Sequence, residues 1–214
     1  MISNLTSMPH PIPGFVGLLL VAACGSSQPT DTAPSPTAPL PTAGLAGQRV
    51  VVYPLTLIAA HDTLGWTAAL TPRRTALDHA DSLLGETLTG RAPEVRWVLP
   101  PAVRQAARRA APVAGDPDQM ATSLLRGPRL RQLPEPLWSQ MRNLTALAGD
   151  RYALVPASLL FVPAKEGGGR AELTLVLVDV RTGAVGWRTV ANAAGADPWE
   201  ALQGALKALP PGLP

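Results

Sequence analysis

Residues Glu172–Val180 read ELTLVLVDV, and their alternation decides the fold. In an extended strand successive side chains point to opposite faces. Leu173, Leu175 and Leu177 therefore share one face, and Val176, Val178 and Val180 share the other. Apolar side chains on both faces belong to a strand covered on both sides, in the interior of a layered domain. Working outward, Tyr152–Val162 and Val185–Val190 are β-rich runs on either side of it. The turn residues Glu166–Gly169 and Arg181–Gly183 join the three runs as a meander of two hairpins.

Upstream the pattern changes to strands alternating with helices. Arg49–Tyr53 (RVVVY) is a β-branched run closed by Pro54, a first strand. Leu55–Leu70 has apolar residues without a clean period and reads as a packed loop or a short extra turn. Thr71 as cap and Pro72 at the first helical position open a helix in which Leu77, Ala80, Leu84 and Leu88 recur at helical spacing, up to Gly90. Glu94–Leu99 is a second strand, with Val95, Trp97 and Leu99 on one face. Pro101–Ala110 is a short helix with Arg104, Arg108 and Arg109 outward. Asp116-Pro117-Asp118-Gln119 has the acceptor and third-position Gln of a helix start, and that helix ends near Gly127. Leu137, Met141, Leu144 and Leu147 line another helix after Pro136, which Gly149 ends. Asp197-Pro198-Trp199-Glu200 opens a last helix with Trp199, Leu202, Leu206 and Leu209 as its core stripe. The expected order is β-α-β-α-α-β-β-β-α: an α/β (α+β) domain with one mixed sheet of about five strands covered by helices. Trp97, Trp138 and Trp199 fall on core stripes; Trp66 and Trp187 are left with an interface role open.

The amino-terminal fifth is of another kind. Gly14–Ala23 is an apolar run of the length of a signal-peptide hydrophobic region, half of the roughly 20 residues a membrane span needs. It ends in Val21-Ala22-Ala23-Cys24, with the chain's only cysteine. Small residues before a cysteine suit a signal peptidase, and the quartet looks like a bacterial lipobox. That resemblance implies that Cys24 receives a diacylglyceryl group, that cleavage falls before it, and that two or more acyl chains hold the protein to the bilayer. Met1–Pro13 lacks the Lys or Arg that usually begins such a signal. Gly25 follows the cysteine in place of the Asp that retains some lipoproteins at the inner membrane, which favours the outer membrane, facing the periplasm. The next residues are Ser, Thr, Ala and Pro, too polar and proline-rich to build a core. At about 3.1 Å per residue they reach up to about 70 Å. The expected organisation is a signal peptide at 1–23, a lipidated linker at 24–46, an α/β domain at 47–210 and a tail at 211–214.

Charge and chemistry narrow the function. All 18 basic residues follow residue 48, and of the 15 acidic residues only Asp31 precedes it. The body thus carries 18 positive against 14 negative charges, too mild a balance to argue for nucleic acid. Cys24 being the only cysteine, a thiolate zinc site is excluded, as is a disulfide within the chain. No nucleophile elbow, phosphate loop or dinucleotide fingerprint is present, so no catalytic residue and no cofactor is expected. His61, Asp62, His79 and Asp81 are the residue types of a metal-dependent hydrolase. The solvent side of the first helix explains His79 and Asp78 more simply. Arg126, Arg129 and Arg131 gather around Gly127 and Pro128, with Arg104, Arg108 and Arg109 upstream. They form either a solvated face or a patch for an anionic ligand or partner.

Three segments carry a second resemblance: Val52-Tyr53-Pro54, Ala148-Gly149-Asp150-Arg151-Tyr152-Ala153-Leu154, and Val178-Asp179-Val180-Arg181-Thr182-Gly183-Ala184-Val185-Gly186-Trp187. In this order, over roughly residues 48–208, they resemble the α/β domain of curli-secretion-type lipoproteins and the amino-terminal domain of TolB-like periplasmic proteins. The resemblance implies an accessory or scaffold working through homo-oligomeric or partner contacts. Pro156 departs from that pattern, where a Gly precedes the continuing strand, and weighs against central pairing there. The long amphipathic hairpins of secretion channels are also missing, with a tight turn at Lys165–Arg170 instead, so the chain is expected to build no pore by itself.

Overall fold

A computed structural model describes residues 43–111, 114–148, 150–165 and 167–209, all within the compact unit Ala33–Pro214. The signal peptide, Cys24, most of the linker and the tail lie outside the described residues, as do Gly149 and Glu166.

Six strands form one mixed sheet, one more than the sequence indicates. They are β1 (Arg49–Val52), β2 (Ile58–Ala60), β3 (Arg96–Val98), β4 (Tyr152–Pro163), β5 (Gly169–Asp179) and β6 (Ala184–Gly195). The order is β3-β1-β4-β5-β6, with β2 also paired to β4. β3 and β4 run parallel to β1 on its two sides, and the β4-β5-β6 meander is antiparallel.

The extra strand comes from Leu55–Leu70, which is not simply a loop. Ile58–Ala60 pairs with Leu159–Phe161, while β1 pairs with Tyr152–Leu154 of the same strand. β1 and β2 are thus two pieces of one interrupted strand along β4. This also explains Pro156, whose strand is central after all. Tyr53 N–H donates to Leu154 O and Leu159 N–H to Leu57 O. By strand alternation the ring nitrogen of Pro156 faces the gap between β1 and β2, where no ladder bond is lost. The β4–β5 register shifts between Pro156 and Ser158, a bulge that absorbs the irregularity.

Four helices cover the sheet: α1 (Arg73–Arg91), α2 (Pro100–Arg109), α3 (Leu137–Leu147) and α4 (Pro198–Lys207). Two separate cores result, as the two-faced β5 requires. Leu173 and Leu175 join Leu84 and Leu88 of α1 and Leu202 and Leu206 of α4. Val176 and Val178 join Val103 of α2 and Met141 and Leu144 of α3. α4 is capped as its sequence requires: Asp197 Oδ1 accepts from the Trp199 and Glu200 amides, and Glu200 Oε2 accepts from Ala196 N–H.

Several local expectations need correction. Pro72, not Thr71, is the cap residue of α1, and the helix continues through Gly90 to Arg91. Asp116 caps only a 3-10 turn at Pro117–Gln119, followed by a second at Thr122–Arg126, so no single helix runs to Gly127. Leu147 is 48% exposed, and Thr145 occupies the buried position in its place. β6 runs on to Gly195, beyond Val190. Trp187 is buried in the α1/α4 core, whereas Trp97, Trp138 and Trp199 are only partly buried.

Candidate functional site

Two constellations stand out, one of opposed charges and one of arginines alone. The first is centred on Arg104, which points inward rather than out. Its Nη2 donates to Asp81 Oδ2 at 2.9 Å, and its Nε reaches both oxygens of Asp118 at 3.1 and 2.9 Å. Asp78 lies 3.3 Å from its Nη1, and Arg74 bridges Asp78 and Asp118 from the other side. Arg108 and Arg109, by contrast, are exposed as the sequence indicates.

Asp81 is buried on α1, and its Oδ1 accepts the Leu55 amide at 2.9 Å. Burial raises its pKa to about 6, against the opposing pull of Leu55 N–H and Arg104. Asp118 behaves oppositely. Burial pushes it up, but the guanidinium groups of Arg104 and Arg74 outweigh that and hold it below the usual carboxylate range. The network therefore locks α2, the Pro117 turn, α1 and the start of the β1–β2 connection together. It borders a cleft of about 710 Å³ between α1 and α2, walled by Leu99, Pro100, Pro101, Gly85, Gly90 and Glu86.

The residues of the metal-hydrolase reading do not converge. Asp81 is engaged by Arg104 and Leu55. His61 is exposed after β2, with Nδ1 2.9 Å from Thr63 Oγ1. Exposed His79 packs edge-on against the Trp199 ring at 4.5 Å. Among the described residues no group of three or more His, Cys, Asp or Glu is placed to hold a metal ion.

The second constellation is the stretch carrying Arg126, Arg129 and Arg131, all three exposed. Its backbone is fixed from below by Arg188 of β6. The Arg188 guanidinium donates to Leu125 O at 3.1 Å, Pro128 O at 2.9 Å and Leu130 O at 3.3 Å. Val185 N–H donates to Arg131 O, and Leu133 N–H to Gly183 O, adding a short bridge along the edge of β6. Partial burial and the neighbouring positive charge of Arg131 both lower the pKa of Arg188. Sequence reading found the three outer arginines and missed Arg188, because backbone carbonyls leave no mark in a sequence. The Gly183 turn completes the support. Its φ of +74° suits glycine, and a Cβ there would stand 3.0 Å from the Trp138 ring.

Val21, Ala22, Ala23 and Cys24 lie outside the described residues. No helix among the described residues is long and apolar enough to cross a membrane.

No protein-family model matches this chain, and no curated protein matches it. Among solved structures it is similar to the LpoB C-terminal domain from Salmonella enterica, at 14% identity over 70% of this chain and 84% of that chain, with a TM-score of 0.37. The LpoB C-terminal domain from Escherichia coli matches at 14% identity over 71% and 85%, with a TM-score of 0.36. A PelC dodecamer from Paraburkholderia phytofirmans matches at 16% identity over 76% and 82%, with a TM-score of 0.31.

Proposed function

We propose that this chain is a lipid-anchored, periplasm-facing accessory protein of the bacterial envelope, acting without catalysis through contacts of its α/β body. The observation that carries the reading is the apolar run closed by Val21-Ala22-Ala23-Cys24, followed at once by a Ser/Thr/Pro stretch and then by one folded body. An anchor, a tether and a domain describe a protein held at a membrane and free to reach a partner. The absence of catalysis in this reading is supported by the engagement of buried Asp81 and half-buried Asp118 with Arg104, which leaves neither carboxylate free for chemistry. The partner is a protein of envelope assembly, secretion or transport, or further copies of the chain, and the membrane is the outer one.

The test is the intact mass of the protein extracted from its native membranes, with Cys24→Ser as control. Lipidation predicts a chain beginning at Cys24 with added diacylglyceryl and acyl mass, and full-length unmodified chain for Cys24→Ser. An unlipidated wild-type chain ends the proposal.

A further inference from the structure

The net positive charge of the body is not spread evenly. Arg49, Arg74, Arg104, Arg151 and Arg170 pair with carboxylates. Arg126, Arg129 and Arg131, like Arg108, Arg109 and Arg181, are exposed and enter no ion pair with a carboxylate among the described residues, and the first three fall together on one short stretch. They are carried on a stretch whose carbonyls are held by Arg188, so their presentation costs little ordering on binding.

The same surface has an apolar component. Leu125 points into the core, which leaves its neighbours Leu124 and Arg126 on the outside; Leu124 is 56% exposed. Val190 lies two residues beyond Arg188 on β6 and so shares its face of the strand, at 49% exposure. These are two of the three exposed large hydrophobics among the described residues. A rigid arginine surface with protruding apolar side chains suits a phase that offers both anions and hydrocarbon. Guanidinium groups pair with phosphates in a planar, two-pronged way, while leucine and valine gain from leaving water.

We infer that the Leu124–Arg131 stretch and the adjoining face of β6 dock the body onto an anionic phospholipid bilayer. A soluble polyanion matches the arginines equally well but gives Leu124 and Val190 nothing to enter, which is why the bilayer is favoured. The inference goes beyond the lipoprotein reading and rests on it only in bringing the body near a bilayer. It gives the chain a second membrane contact, so the linker need not hold the body away from the surface.

The test is vesicle partition of the full chain carrying Cys24→Ser, which removes the lipid; the apolar run Gly14–Ala23 is common to parent and variants, so the differences between vesicle types and between variants are what is read. Vesicles of phosphatidylcholine alone are compared with equimolar phosphatidylcholine and phosphatidylglycerol. The chain should prefer the anionic vesicles, and high salt should remove the preference. Replacing Arg126, Arg129 and Arg131 together by Ala should reduce partition to the anionic vesicles roughly a hundredfold. Leu124→Ser should reduce it further while leaving heparin binding unchanged. Arg129→Gln alone, with its circular dichroism checked, keeps the test decisive if the triple variant folds poorly; it should lower partition about fivefold. Equal partition of the parent and the arginine variants overturns the inference. Heparin binding without vesicle binding also overturns it and assigns the arginines to a soluble polyanion. Intact mass at Cys24 reports on anchoring, and vesicle partition of the Cys24→Ser chain reports on this surface, so the two readings fail separately.

Discussion

Arg104 Nη2 stands 2.9 Å from Asp81 Oδ2, joining α2 to α1 across a buried contact that sequence spacing does not announce. The Arg104 side chain is only 13% exposed and that of Asp81 only 5%. Breaking such a pair leaves a charge without compensation, at a cost of about 3 kcal/mol. Arg104→Ala should therefore lower the denaturant midpoint by that equivalent. Asp81→Asn, which keeps an acceptor for Leu55 N–H, should cost less. Equal stability of wild type and Arg104→Ala would refute the structural role assigned to this pair.

The same network predicts an unusual pH profile. Asp81 titrates near 6 in the folded state, above an ordinary carboxylate, so the folded protein binds the extra proton between about pH 4 and 6. Its contribution to stability is present at low pH and lost as pH rises through 6. Asp118 and Asp179 are held below the usual range, and their contributions are lost as pH falls below about 4. Thermal stability should rise from pH 7 down to about pH 4 and decline below it. Asp81→Asn should flatten the upper limb and leave the lower one, as read by calorimetry across that range.

Tyr53 is fully buried at the end of β1. Its hydroxyl donates to Met141 O at 3.0 Å and lies 3.0 Å from Thr145 Oγ1. Burial pushes its ionisation far above the ordinary tyrosine value, so it remains a phenol at any working pH. Tyr53→Phe leaves the Thr145 hydroxyl without this partner and should cost about 1–2 kcal/mol in urea unfolding. A change below 0.5 kcal/mol, about the size of a surface effect, would contradict this placement.

Arg188 should control the order of the arginine stretch without belonging to its outer surface. Arg188→Ala should speed hydrogen exchange at Gly127 and Leu130 while the amides of β5 keep their protection. Arg188→Lys should fail to rescue it, because one ammonium cannot span three carbonyls arranged for a planar fork. Full rescue by lysine would show that charge alone sets the order.

What the sequence revealed, and what it hid, follows from the range of the interactions. β5 was legible because its two-faced alternation lies within nine residues, and α4 because Asp197, Pro198 and Glu200 form a local cap. β2 was hidden: three residues carry no period, and its partners Leu159–Phe161 lie about a hundred positions away. Pro156 argued against a central strand, since nothing local shows that its missing N–H faces a gap between two strand pieces. An arginine on a short helix is expected to face outward, and the partners that draw Arg104 inward, Asp81 and Asp118, lie on other elements. The outer arginines of the candidate surface were visible as a cluster. The residue that holds them in place was not.

The proposal that a lipid at Cys24 anchors a non-catalytic body, which works through contacts with other molecules of the envelope, stands on the Val21-Ala22-Ala23-Cys24 quartet. Its most direct test is native purification of the tagged full-length protein from its own membranes in mild detergent, reading particle mass and composition together. The expected result is Cys24-lipidated chain in a particle larger than one protomer, homomeric or mixed. A soluble, unlipidated monomer with nothing attached would contradict it.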